Sequence, residues 1–352
     1  MAQLMEYLER AVSEGASDLF VVAGGPVIIK VEGQLCPIGE GRMLPNDTEA
    51  LISEIYTQAK RSMHEFQRSG DDDFSFAIPG LARFRVNAYR QRGSMAAVIR
   101  VVSFDIPDWK KIGIPERVME LANLDHGMIL VTGTAGSGKS TTQACLIDRI
   151  NQTRGCHIIT LEDPIEFLHR NHRSIVSQRE IAVDTEDYLS ALRACLRQAP
   201  DVILLGEMRD AETIRTAITA AETGHLLMAT LHTKGAVNAI DRIIDSFDST
   251  HQSQIRMMLS AVLRTVVSQQ LLPDVNGDMV PAVELMHVNS AIRGLIRDNK
   301  NHQINNVIAS GRQEGMITMD QSILELYRAG RITKDTALDY ADNPEQMKRM
   351  LQ

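Results

Sequence analysis

Between Gly133 and Ser140 the chain reads Gly133-Thr134-Ala135-Gly136-Ser137-Gly138-Lys139-Ser140, which fits G-x-x-x-x-G-K-[ST]. Glycines let the backbone curl until its N–H groups converge on phosphate oxygens, and the dipole of a following helix adds positive potential there. In that geometry Lys139 reaches the β- and γ-phosphates and the Ser140 hydroxyl ligates Mg²⁺. The expected nucleotide contacts run on through Thr141 and Thr142. An apolar run, "GMILVTG", precedes the loop and a helix-like pattern follows it, the context such a cradle needs. From average residue frequencies a chance match arises in about one chain in a hundred of this length.

A cradle binds; hydrolysis also needs a carboxylate to orient water and others to hold the metal. "IITLEDPIEF" supplies Glu162, Asp163 and Glu166, and "VILLGEMRD" supplies Glu207. Both clusters end apolar runs, and in open parallel sheets ligands sit at the carboxyl ends of strands. Glu207 follows four apolar residues and Gly206, where P-loop enzymes place their second acidic motif, although an aspartate directly after the run is more usual. A solvated strand-end charge is the plain alternative for each acid. Glu162 and Asp163 are expected to reach the metal through water, and either Glu162 or Glu207 is the principal base. His225 and His232 flank "HLLMATLH". Seven residues apart on a strand, they cannot share one metal, and they are expected to sense phosphate or carry a shift between subunits. A structural role is the alternative.

Strands alternating with helices must hold these groups. "GMILVTG", "HIITLED", "DVILLGE" and "HLLMATLHT" read as parallel strands, with "EDYLSALRACLRQ" and "DAETIRTAITAAETG" as helices between them. Ile255, Met258, Leu259, Val262 and Val266 form one stripe of an amphipathic helix. A turn at Asn276-Gly277 and a helix-rich tail follow. Residues 1 to about 105 have a different texture. Leu4, Leu8 and Val12 mark a helix stopped by Gly15, and "DLFVVAGG" and "PVIIKVEGQL" read as two strands. "ARFRVNAYRQRGSMAAVIRVV" reads as a hairpin. If its turn centres on Arg92-Gly93, then Phe84, Val86 and Ala88 face Val101, Ile99 and Ala97. On the opposite face Arg85 then meets Arg100. Like charges in such a pair are tolerated in the open or around an anion. They could serve as arginine fingers on a neighbouring subunit's nucleotide; exposed structural arginines are the alternative. Arg193, Arg197 and Arg209 form a second basic set, of which Arg193 and Arg209 lie nearest the strand ends.

The 352 residues carry a formal net charge of -8 and no basic stripe, which argues against a nucleic-acid partner. Four cysteines without C-x-x-C spacing suggest no zinc site or disulfide framework, and reduced cytosol is the simplest compartment. No apolar stretch is long enough to span a membrane, so any membrane role is peripheral.

Four boxes in order, Gly133–Ser140, "LEDPIEF", "LLGEMRD" and "AETGHLLMATLHT", resemble the secretion ATPases of type II secretion and type IV pili. The resemblance covers almost the whole chain. It implies an α/β protein with a PAS-like α+β domain over 1–105, a linker at 106–116, a RecA-like P-loop ATPase core over 117–270 and a helical C-terminal region over 271–352. It implies ATP and Mg²⁺ as ligands, Glu207 as the water-activating glutamate, and a homo-hexameric ring. Arg85 and Arg100 match the family's arginines donated from the next subunit; Arg193 and Arg209 match those on the nucleotide's own subunit. The short first domain, the absence of a four-cysteine insertion and "AIRGLIRD" (Ala291 to Asp298) resemble the pilus-retraction branch. Gly294, Asp298 and Phe20 depart from its pattern and leave room for an accessory retraction ATPase; an assembly ATPase and a DNA-handling ring are the further alternatives. An inner-membrane platform protein, and a paralogous pilus ATPase, are the partners implied at the cytoplasmic face of the membrane.

Overall fold

A computed structural model describes residues 2–31, 33–39, 41–102 and 106–352 and divides the chain into two units. One comprises Met1–Asp105 with Glu166–Leu168, the other Ile106–Ile165 with His169–Gln352.

In the first unit α1 (Ala2–Ser13) buries Leu4 and Leu8, and the left-handed φ of +67° at Gly15 turns the chain away from the helix. Next come β1 (Asp18–Val21), β2 (Ile28–Val31) and β3 (Gln34–Pro37). The expectation of one strand across "PVIIKVEGQL" is corrected: it is a hairpin, because Gly33 at φ +82° reverses the chain and pairs Val31 with Gln34. Beyond the sequence expectation lie α2 (Pro45–Gln58), α3 (His64–Ser69) and β4 (Asp71–Ile78). The chain then forms β5 (Ala82–Gln91) and β6 (Ser94–Val102) in the expected register, Phe84 facing Val101 and Arg85 facing Arg100. Arg92 at φ +47° and Gly93 at φ +81° both take the left-handed region, the conformation a two-residue hairpin turn requires. Among the described residues the sheet order is β3-β2-β1-β6-β5-β4. Its apolar face, with Phe84, Val86 and Ile99 wholly buried, packs with Leu8 of α1 and Ile52 and Ile55 of α2. Burying each such side chain contributes about 1.5–3 kcal/mol.

The second unit opens with α4 (Glu116–Met119), β7 (Gly127–Thr132), α5 (Lys139–Thr153) and β8 (His157–Glu162). It continues through β9 (Ile175–Glu180), α6 (Tyr188–Cys195), β10 (Val202–Leu205), α7 (Ala211–Glu222) and β11 (Leu226–Leu231). Asp187 and Asp210 cap α6 and α7 by accepting from backbone N–H groups in each first turn. After α8 (Ala236–Asp245) and α9 (Ser249–Val262) the chain passes straight into β12 (Leu263–Pro273), so Val266 belongs to a strand and not to the helical stripe. A buried apolar run satisfies both patterns; here pairing with β7 selects the strand. Gly277, at φ +91°, lies in the turn to β13 (Met279–His287). This hairpin crosses residue 270, so the helical region expected from 271 begins only at α10 (Ser290–Arg297). It continues as α11 (Ile304–Ser310), α12 (Met319–Arg328), α13 (Lys334–Tyr340) and α14 (Pro344–Met350).

The sheet order is β13-β12-β7-β11-β10-β8-β9, parallel except for β13. All six residues of β7 and of β11 are buried, as a parallel sheet covered on both faces demands. Among the described residues no helix is long and apolar enough to cross a membrane.

Candidate nucleotide site

β7 ends at Thr132 and delivers the glycine-rich loop to the first turn of α5. The loop closes against β12. A Cβ on Gly133 would lie 2.3 Å from the Gln269 backbone oxygen and 2.5 Å from Ser137 Oγ; one on Gly138 would lie 2.8 Å from Gln269 Nε2. Those positions, at φ +146° and +82°, admit glycine and no larger residue without movement. Lys139, 7% exposed, donates from Nζ to the Gly133 carbonyl at 3.0 Å and the Thr134 carbonyl at 2.8 Å. Ser137 Oγ is buried without a hydrogen-bond partner, an orphan that a phosphate oxygen would satisfy. Ser140 follows Lys139 in the first turn of α5, and its hydroxyl is the hard oxygen donor that Mg²⁺ prefers. Thr142 is wholly buried and its hydroxyl donates to Gln269 Oε1 at 2.7 Å. Thr134 to Ser137, with Lys234, Leu271, Met279 and Tyr340, bound a cavity of about 410 Å³, within the size range of small-ligand pockets.

The acids arrive from neighbouring strand ends. Glu162 closes β8, with Thr160 Oγ1 donating to its Oε1 at 2.6 Å and Gln178 Nε2 at 3.2 Å. Asp163, next along, is exposed. Glu207 follows β10 and Gly206, its side chain 13% exposed, ion-paired with Arg209 and 3.6 Å from His232 Nε2. That pairing favours the charged form of Arg209. Gly206 is required here. A Cβ would meet the Tyr188 hydroxyl at 2.7 Å and the Leu161 carbonyl at 3.0 Å, and the glycine carbonyl accepts from Thr230 Oγ1 on β11. β11 lies between β7 and β10, so Glu207 stands two strands from the cradle, about 10 Å away, room for a phosphoryl group and a water. Tyr188 is a member that sequence reasoning missed: burial first, then Glu207 and Asp163, push its phenol well above the usual range.

The predicted histidines separate. His232 follows Leu231, which pairs with Thr132 beside the cradle. His225 sits at the other end of β11, its Nδ1 2.9 Å from the Ala220 carbonyl and its own carbonyl accepting from Gly127 N. Seven strand residues put it roughly 20 Å from His232. The expectation that it belongs with the nucleotide contacts is corrected by this placement within the chain. Arg193 is exposed on α6 and paired with Glu212 of α7.

Arg85 and Arg100 lie in the first unit, in one row across its sheet: Asp18 pairs with Arg100, Arg100 with Arg85, and Arg85 with Ser75. Asp18 is 7% exposed and accepts from Arg100 Nε at 3.0 Å, so a carboxylate stands beside the like-charged pair. Asp18, Asp73, Asn87 and both arginines line a cavity of about 190 Å³.

The family model described as type II/IV secretion system protein matches residues 1–336. The chain is 42% identical to a Pseudomonas aeruginosa protein named type IV pilus retractation ATPase PilT, over 97% of this chain and 99% of that one. It is 36% identical to the type IV pilus ATPase PilU of the same organism, over 98% of this chain and 90% of that one. A crystal structure of the pilus retraction motor PilT with bound ADP superposes with a TM-score of 0.89 at 44% identity, covering 98% of both chains. With nearly its whole length matched, the chain belongs to the type II/IV secretion system protein family.

Proposed function

We propose that the chain hydrolyses ATP as a ring-forming motor that drives type IV pilus retraction. The observation that carries the reading is the glycine-closed cradle of Gly133 to Thr142, in a chain matched end to end by a retraction ATPase. Lys139 leaves the loop carbonyls for the β- and γ-phosphates. Glu207 orients a water and takes its proton as the water oxygen bonds the γ-phosphorus; the bridging oxygen leaves with ADP. The Ser140 hydroxyl would hold Mg²⁺, with Glu162 and Asp163 reaching it through water, and the ion would supply neutralisation of charge on the phosphates. His232 and Arg209, beside Glu207, report phosphate occupancy, and Arg193 serves the same subunit's site. Arg85 and Arg100 of the neighbouring copy close on the γ-phosphate and stabilise charge that develops during transfer.

In this reading six copies form the ring, nucleotide binding closes the seam between them and hydrolysis releases it, a charge-driven switch. The motor stands at the cytoplasmic face of the membrane against a platform protein, without nucleic acid. The PilU match makes an accessory retraction role, beside a paralogous ATPase, the second reading. The test has two parts. Purified protein is expected to release phosphate steadily from ATP and Lys139→Ala to stop it, with no stimulation by DNA. Cells lacking the protein are expected to carry surplus pili. Bald cells would contradict retraction, and absent phosphate release would contradict the motor.

A further inference from the structure

Gln269 lies in the middle of β12, 3% exposed, and its amide makes two bonds that leave the strand. Nε2 donates to the Ser137 carbonyl at 2.8 Å, and Oε1 accepts from the Thr142 hydroxyl at 2.7 Å. A carbonyl can only accept, so the amide nitrogen must face Ser137, and its oxygen is left for Thr142. One side chain therefore spans the cradle, gripping the loop on one side and the first turn of α5 on the other. The glycines close on the same residue. Gly138 leaves 2.8 Å between a would-be Cβ and Nε2, and Gly133 leaves 2.3 Å to the Gln269 carbonyl oxygen.

We propose that Gln269 is a positioning residue for nucleotide binding, setting the curvature of the phosphate loop from the neighbouring strand before phosphate arrives. This rests on the reading of the cradle as a nucleotide site. The physical need is clear. Gly133, Gly136 and Gly138 all take positive φ, and a run so rich in glycine loses much conformational freedom when it orders. Affinity rises when that ordering is complete before the ligand binds. Gln269 supplies it through two buried hydrogen bonds, and neither oxygen it serves is exposed to compete for solvent. Its grip reaches the loop through a backbone carbonyl, so it constrains shape without contacting phosphate. Sequence separation hides the pairing, since Thr142 and Gln269 are 127 residues apart.

Gln269→Met keeps the side-chain volume and removes both bonds. ADP affinity of the full chain, measured by calorimetry with the thermal midpoint as the folding control, is expected to weaken about tenfold. KM for ATP rises with it and kcat falls less, a split that a general loss of stability would not produce. Gln269→Asn, one methylene too short to reach both partners, serves where Gln269→Met does not fold, and the same loss is expected. A folded variant with the affinity of the unaltered chain overturns the clamp and leaves the nucleotide reading standing. Failure of the unaltered chain to bind ADP overturns that reading and the clamp with it.

Discussion

Lys139 and Arg100 are both cations proposed to meet phosphate, and their surroundings differ in kind. Lys139 is 7% exposed, held by two loop carbonyls inside a cradle whose glycines touch β12. Arg100 has 67% of its side chain exposed and is tied to Asp18 across one strand pair. Packing shapes the first site ahead of any ligand. The second is an open row of two guanidinium groups beside Asp18, in a cavity that Asp73 also lines, with room for an external anion to come between them. In the proposed reading, binding falls to the core unit of each copy and rate acceleration to the arginine face of another.

Separating those two roles is the way to break the comparison. Arg85→Ala or Arg100→Ala is expected to lower kcat on the order of a hundredfold to a thousandfold, as loss of a transition-state donor does. ADP affinity should stay within a few-fold, and an equal fall in affinity would merge the two regions into one binding site. A smaller effect sharpens the claim that the core side is shaped by contact. Gly206→Ala places a methyl 2.7 Å from the Tyr188 hydroxyl and 3.0 Å from the Leu161 carbonyl. It is expected to destabilise the fold by about 1–3 kcal/mol, read as a lower thermal midpoint. Tyr188→Phe in that background should recover part of the loss, because the Leu161 carbonyl remains. An unchanged midpoint would show that the turn before Glu207 has slack.

The sequence makes local geometry visible and long-range geometry invisible. The β5–β6 register is legible because Phe84, Val86 and Ala88 alternate with polar residues, and that alternation places Arg85 opposite Arg100. The carboxyl-edge acids are legible because each ends an apolar run. Asp18 lies in a segment whose strand is legible, but its service to Arg100 depends on β1 pairing with β6, 82 residues away. The same limit hides Gln269 and Tyr188: the partners of the first lie in the phosphate loop and α5, and the second meets the turn at Gly206. Val266 reads as helix because apolar spacing does not distinguish the end of α9 from the start of β12; the pairing with β7 does. His225 illustrates a different limit. A motif names both histidines, yet a strand places its ends on opposite edges of the sheet.

The central claim is that each site is completed by arginines from another copy, and mixing two inactive variants tests it most directly. Lys139→Ala retains the arginines with a ruined cradle; the double variant Arg85→Ala with Arg100→Ala retains the cradle without them. Combined under conditions where mixed rings form, verified by native mass spectrometry, the pair is expected to hydrolyse ATP well above the sum of the separate preparations. A mixture no faster than its components would contradict donation between copies.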